Sequence, residues 1–202
     1  IGDCKRCKLS SGRTHVVFGV GDPKARLMFV GEAPGRDEDL QGEPFVGAAG
    51  KLLDKLLESA GLSRAQVYIA NVIKCRPPNN RDPEQDEVDT CKPFLLQQIE
   101  MIQPKLVCTL GNWATQTILE KKVGITKVKG QAIKLERFVV FPLLHPAAAL
   151  HQGNLLDTLK EDFKKLKAYL DRMDAPVVQA VPAATAPTSP AAAQPQLDLF
   201  GS

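Results

Sequence analysis

Apolar runs and stretches of helical period alternate along the first 172 residues. Residues 26–30 (RLMFV) form a short continuous apolar run, and 67–73, 105–110 and 138–144 form three more. Runs of that length without polar alternation predict strands buried on both faces. Between them the period changes. In residues 48–60, Leu52, Leu53, Leu56 and Leu57 share one helical face, and Gly61 follows where a helix would end. Asp82-Pro83-Glu84 supplies a cap, a preset φ and a carboxylate for a positive first turn, which predicts a helix running towards Ile102 with a kink at Pro93. Residues 112–119 predict a short helix. Asn154 predicts the cap of a last helix reaching about Arg172, with Leu155, Leu159, Phe163, Leu166 and Leu170 turned inward.

Strands alternating with helices predict an α/β fold: three layers, α/β/α, around a central, mainly parallel four-stranded sheet. In such sheets the functional loops lie beyond the carboxyl ends of the strands. Three distinctive segments fall there, residues 31–35, 71–81 and 145–151, so a single cleft is expected. Past residue 172 the pattern stops. Residues 173–195 are rich in Pro and Ala, which predicts a disordered linker, and it leads into the isolated apolar cluster QLDLF at 196–200. The chain therefore divides into a body (1–172), a tether (173–195) and a docking peptide (196–200).

Composition narrows the function classes. With 44% hydrophobic and 24% charged residues the chain matches an ordinary globular protein, and no apolar stretch approaches the length of a membrane span. No charged-then-apolar leader opens it, so a soluble, cytoplasmic protein without a membrane role is expected. All 26 Lys and Arg precede residue 173, whereas Asp174 and Asp198 follow it. The body thus carries +5 against +3 for the whole chain, a balance that suits a polyanion partner. Of five cysteines, Cys108 sits inside an apolar run and reads as a buried thiol. Cys4, Cys7, Cys75 and Cys91 remain, the number a metal centre needs. Thiolates at that spread suit either zinc or a cubane iron–sulfur cluster, and the residues leave both open.

The motifs come in a fixed order: C-x2-C at Cys4 and Cys7, GEAPGRDEDLQGEPFVGAAG at 31–50, NVIKCRPPNNR at 71–81, Cys91, and HPAAAL at 145–150. Together they resemble the family 4 uracil-DNA glycosylases, the iron–sulfur branch of their superfamily, over residues 4–172. The resemblance implies a monofunctional enzyme that flips uracil out of single- or double-stranded DNA. It would hydrolyse the N-glycosidic bond and leave an abasic site for base excision repair. It implies a [4Fe–4S] cluster of structural role on Cys4, Cys7, Cys75 and Cys91, with zinc as the alternative, and a monomeric protein. A glycosylase for other deaminated bases and a catalytically silent, clamp-tethered DNA-binding module are the competing readings.

Residue by residue, the resemblance makes Phe45 the ring that stacks on the flipped base and Asn71 the amide that reads its edge. Asn71 would accept from uracil N3–H and donate to O4, and Gly35 belongs with them in the substrate pocket. His145 would donate to O2 as charge develops on the leaving base. Other branches of the superfamily carry Asp or Asn at the position of Ala33 to hold the attacking water. Here that task falls to the Ala33 backbone, Glu32 or Glu38, and Glu38 could instead stand against the methyl group of thymine. Leu150 would wedge into the gap left by the flipped base. Lys74, Arg76, Arg81 and His151 are expected at phosphates. QLDLF resembles the peptide by which bacterial repair and replication proteins bind the sliding clamp, with Gln196, Leu197, Leu199 and Phe200 as its contacts.

Overall fold

Each of the four apolar runs becomes a strand, and two short strands not expected from the sequence flank them. The structure, a computed structural model, describes residues 1–174. The strands are β1 (Val20–Gly21), β2 (Leu27–Gly31), β3 (Tyr68–Asn71), β4 (Leu106–Leu110), β5 (Ile133–Lys134) and β6 (Val139–Leu143). The helices are α1 (Arg36–Gln41), α2 (Ala48–Ser59), α3 (Gln85–Ile102), α4 (Asn112–Leu119), α5 (Ile125–Val128), α6 (Pro146–His151) and α7 (Asn154–Asp174). Of the tether expected at 173–195, residues 173 and 174 end α7; the rest of it and the docking peptide at 196–200 lie outside the described residues.

Sheet order is β1-β3-β2-β4-β6-β5. The inner four strands pair in parallel, as expected, while β1 on β3 and β5 on β6 are antiparallel. The four-stranded expectation is thus corrected to six among the described residues. β1 and β5 are two residues long, too short to leave an apolar period.

Alternation across the pleat builds two cores. Leu27, Phe29, Leu106, Cys108 and Leu110 face one layer, where they meet Leu53, Leu56 and Leu57 of α2 and Leu159, Phe163 and Leu166 of α7. Met28, Val30, Val107 and Val140 face the other, against Val88, Leu95 and Ile99 of α3 and Ala114 and Ile118 of α4. Strands wrapped on both faces need apolar residues at every position, which is why the runs were continuous. Cys108 is fully buried, as its surroundings in the sequence implied.

Boundaries moved where a side chain had to satisfy a helix end. α3 begins at Gln85 rather than at Asp82, because Glu87 reaches back to the Glu84 amide (2.8 Å) and makes Glu84 the cap. The same helix runs to Ile102 and includes Pro93. α1, unexpected in a glycine-rich stretch, starts from Gly35 with Asp37, Glu38 and Asp39 in its first turn, where the positive end of the helix favours carboxylates.

Candidate active site

The carboxyl ends of β2, β3 and β6 converge on one cavity of about 530 Å³, lined among others by Glu32, Ala33, Gly35, Glu38, Phe45, Asn71, Arg81, His145 and Leu150. Parallel pairing makes this convergence obligatory. Gly31 and Asn71 are direct partners in the β2–β3 register, and Leu143, two residues before His145, pairs with Leu110.

Asn71 ends β3 and is 1% exposed, yet its side-chain Oδ1 has no hydrogen-bond partner. An unpaired buried acceptor costs about 1–3 kcal/mol, so this one favours a ligand that brings a donor. Gly31 makes room for it. A Cβ there would overlap Asn71 Oδ1 and come within 2.5 Å of Phe45 Cζ, so both side chains close on the same spot.

Phe45 has φ of 56°, left-handed backbone that a bulky residue seldom adopts and that costs about 1–3 kcal/mol. Two side chains hold it there. Glu38 accepts from the amides of Val46 (2.9 Å) and Gly47 (2.8 Å) through Oε1 and of Gly35 (3.1 Å) through Oε2. Arg64 donates to the carbonyls of Pro44 (2.7 Å) and Phe45 (3.0 Å) from the other side. The Phe45 ring lies 5.6 Å from the His145 ring, tilted by 28°.

His145 caps α6, and its Nδ1 accepts from the Ala147 amide (3.1 Å). An accepting Nδ1 carries no proton, so in the neutral ring the proton sits on Nε2. Burial pulls the ring to about 4, against a smaller opposing pull from Glu38. The site therefore presents a neutral imidazole that still donates. Gly111, at the end of β4 with φ of 89°, packs beside it; a Cβ there would lie 3.3 Å from the His145 Cβ.

The two carboxylates part company. Both oxygens of Glu38 are engaged by backbone amides, so it acts as a strut for the Gly35 and Val46–Gly47 turns. Glu32 lines the cavity without such partners, and burial, aided by Asp82, raises it to about 7.

Among the expected phosphate contacts, Lys74 is corrected. It is fully buried, and its Nζ donates to Asn71 O (2.8 Å) and Gln98 Oε1 (2.6 Å), where no phosphate can reach it. Arg81 lines the cavity but spends its guanidinium on a two-pronged pair with buried Glu87 (2.9 and 2.6 Å). Arg76 bonds Asn80 Oδ1 (2.7 Å), while His151 and Leu150 are exposed on α6. Asn80 and Pro77 also line the cavity, and the sequence reading missed them. Consecutive asparagines, both left-handed here (53° and 54°), were the available sign of that turn.

The thiols lie behind Asn71. Cys75 and Cys91 are buried, Cys4 and Cys7 half-buried, and all four are free. Burial pushes Cys91 up to about 11 and raises Cys75 as well, with charge coupling to Cys7 in both cases and to Cys4 for Cys75. Two donors face the sulfurs: Arg13 Nη1 to Cys75 Sγ (3.4 Å) and the Lys74 amide to Cys91 Sγ (3.3 Å). Among the described residues no three His, Cys, Asp or Glu side chains stand ready to hold a metal ion. The segment that carries Cys4 and Cys7 is fastened to α1, since Asp39 accepts from the Thr14 (2.9 Å) and His15 (3.4 Å) amides.

Residues 18–171 match the model of the uracil DNA glycosylase superfamily. The chain is 54% identical to a type-4 uracil-DNA glycosylase of Sulfurisphaera tokodaii, over 81% of this chain and 79% of that one. Proteins of the same description from Archaeoglobus fulgidus (49%; 82% and 87% covered) and Thermotoga maritima (45%; 84% and 90%) are also similar. No helix among the described residues is long and apolar enough to cross a membrane.

Proposed function

The chain belongs to the uracil DNA glycosylase superfamily, and from that premise we propose that it excises uracil from DNA by hydrolysing the N-glycosidic bond, leaving an abasic site. The observation that carries the reading is the unpartnered Oδ1 of Asn71, buried beside the Phe45 ring in the cavity that His145 also lines. Uracil brings a donor, N3–H, to that acceptor; cytosine brings the N3 lone pair and is repelled. Phe45 stacks on the base. As the bond from N1 to C1′ breaks, its electron pair moves onto the pyrimidine, chiefly O2, and the His145 Nε2–H stabilises the charge. A neutral donor held near 4 stays neutral throughout the working range. Water bonds to C1′, held by Glu32 and the Ala33 backbone, and Glu32 takes its proton. The departing uracil anion regains a proton at N1 from solvent.

Cys4, Cys7, Cys75 and Cys91, four free thiols with N–H donors aimed at two of the sulfurs, would hold a [4Fe–4S] cluster, or zinc as the alternative, once drawn closer than they stand here. Glycosyl hydrolysis has no redox step, so the group would supply a structural crosslink between the N-terminal segment and the loop behind Asn71. Leu150, half exposed at the cavity rim, takes the wedge role, with Arg76 and His151 beside phosphates. In this reading the enzyme works as a cytoplasmic monomer, and residues 196–200 bind a bacterial sliding clamp through the tether at 173–195.

The test is a labelled oligonucleotide with one uracil, heated in alkali after incubation. Strand breakage at the uracil is expected, with none at cytosine or thymine. Intact strands despite DNA binding would favour a silent module, and breakage at hypoxanthine alone would move the substrate to another deaminated base.

A further inference from the structure

Arg64 lies outside the cavity, on the short turn Arg64–Gln66 that leads into β3 and so to Asn71. We propose that it is a positioning residue, which fixes the Phe45 ring in place by gripping the backbone behind it. The inference rests on the uracil-excision reading for its substrate, and on geometry for everything else.

The segment around Phe45 has two handles. Its amides at Val46 and Gly47 are held by Glu38 on the cavity side. Its carbonyls at Pro44 and Phe45 are held by Arg64, Nη2 to the first (2.7 Å) and Nη1 to the second (3.0 Å). Nη1 also pairs with Asp54 Oδ1 (2.9 Å), one turn beyond Gly50 on α2. Gly50 matters because a Cβ there would overlap the Phe45 carbonyl, so α2 both admits that carbonyl and anchors the cation gripping it. A planar guanidinium can span two successive carbonyls and a carboxylate, whereas an ammonium point charge cannot. Since left-handed backbone at a phenylalanine relaxes unless its surroundings hold it, releasing Arg64 frees the ring to leave its place in the pocket. Arg64 and Asn71 share one segment, so ring and amide are set relative to each other.

The test is a double-mutant cycle of Arg64→Ala with Phe45→Ala in the full chain. Free-uracil inhibition, kcat/KM on a uracil oligonucleotide, abasic-oligonucleotide affinity and Tm are measured for each variant. R64A is expected to weaken uracil inhibition and lower kcat/KM by about tenfold or more, the scale of pairwise coupling between contacting residues. Abasic-DNA affinity should stay within about twofold, because no base occupies the pocket there. In the F45A background, R64A should add less than about twofold. R64K should fail to restore function, and D54N should reproduce part of the loss without touching the loop. Additive losses, or abasic-DNA affinity falling in step with uracil inhibition, would overturn the proposal. A readout without substrate separates this from the uracil reading. With fluorine-labelled phenylalanines, the Phe45 resonance, assigned by its loss in F45L, should shift or broaden in R64A. An unchanged resonance refutes the role of Arg64 whatever base is excised, and absence of wild-type excision refutes the uracil reading alone.

Discussion

Glu38→Gln separates a strut from a base. The wild-type carboxylate accepts three backbone amides at 2.8–3.1 Å, two on Oε1 and one on Oε2. Glutamine keeps the shape but has one acceptor oxygen. If that oxygen stays with Val46 and Gly47, the new NH2 faces the Gly35 amide, donor against donor. One hydrogen bond to a charged group is lost, about 1.5–3 kcal/mol, and two others weaken from charged to neutral. Glu38 is half-buried, so solvent relieves part of this, and a net destabilisation of about 2–3 kcal/mol is expected. For a body of this size that lowers Tm by about 5–10 °C. Excision at a temperature well below Tm should fall by only about tenfold, because the proposed mechanism puts the chemistry on His145 and Glu32; His145→Ala should then cost about 10²–10³-fold. The assay pairs thermal unfolding by circular dichroism with single-turnover excision at 25 °C. If Tm stays within about 1 °C of wild type while excision is abolished, the carboxylate acts on the substrate or water and the strut account is wrong. If His145→Ala is near wild type, the roles are exchanged.

Burial raises Glu32 to about 7, so its protonation should govern the acid side of the reaction: kcat/KM falls as pH drops through about 7, while His145, held near 4, stays silent there. E32Q should remove that limb between pH 5 and 9, and a limb that survives the substitution refutes the assignment. Cys75→Ser should cost bound metal and stability together; iron near four atoms per chain in the wild type supports the cluster, whereas stoichiometric zinc in a colourless protein prepared anaerobically points to the alternative. Deleting residues 196–200 should abolish clamp binding in a pull-down and leave excision from short oligonucleotides unchanged, and retained clamp binding would move the docking site into the body.

The four long strands and the helices over 48–60, 112–119 and from 154 to about 172 were legible because strands buried on both faces must be apolar at every position and amphipathic helices must repeat. β1 and β5 were not, since pairs of two residues carry no period. Asn71, Phe45 and His145 were singled out through the family resemblance, and all three line one cavity at the strand ends that the alternation implied. Lys74 shows where local reading fails. A lysine beside Arg76 in a polar loop reads as a surface cation, and only the packing of α3 against β3 puts Gln98 over it and water out of reach.

The sequence by itself determined the long elements, the parallel pairing that gathers their loops, and the chemical kinds of group available in them, because propensity, period and side-chain chemistry are properties of the chain. The tertiary structure decided what each group is free to do. Glu38 and Glu32 are six residues apart with the same functional group, yet one spends its oxygens on three amides and the other lines a cavity at about 7. Arg64 has no motif at all, and its hold on the Phe45 carbonyls exists only once α2 and the turn before β3 are packed together. Hydrogen-bond partners and loss of water depend on neighbours distant in the chain, and those are fixed only when it folds.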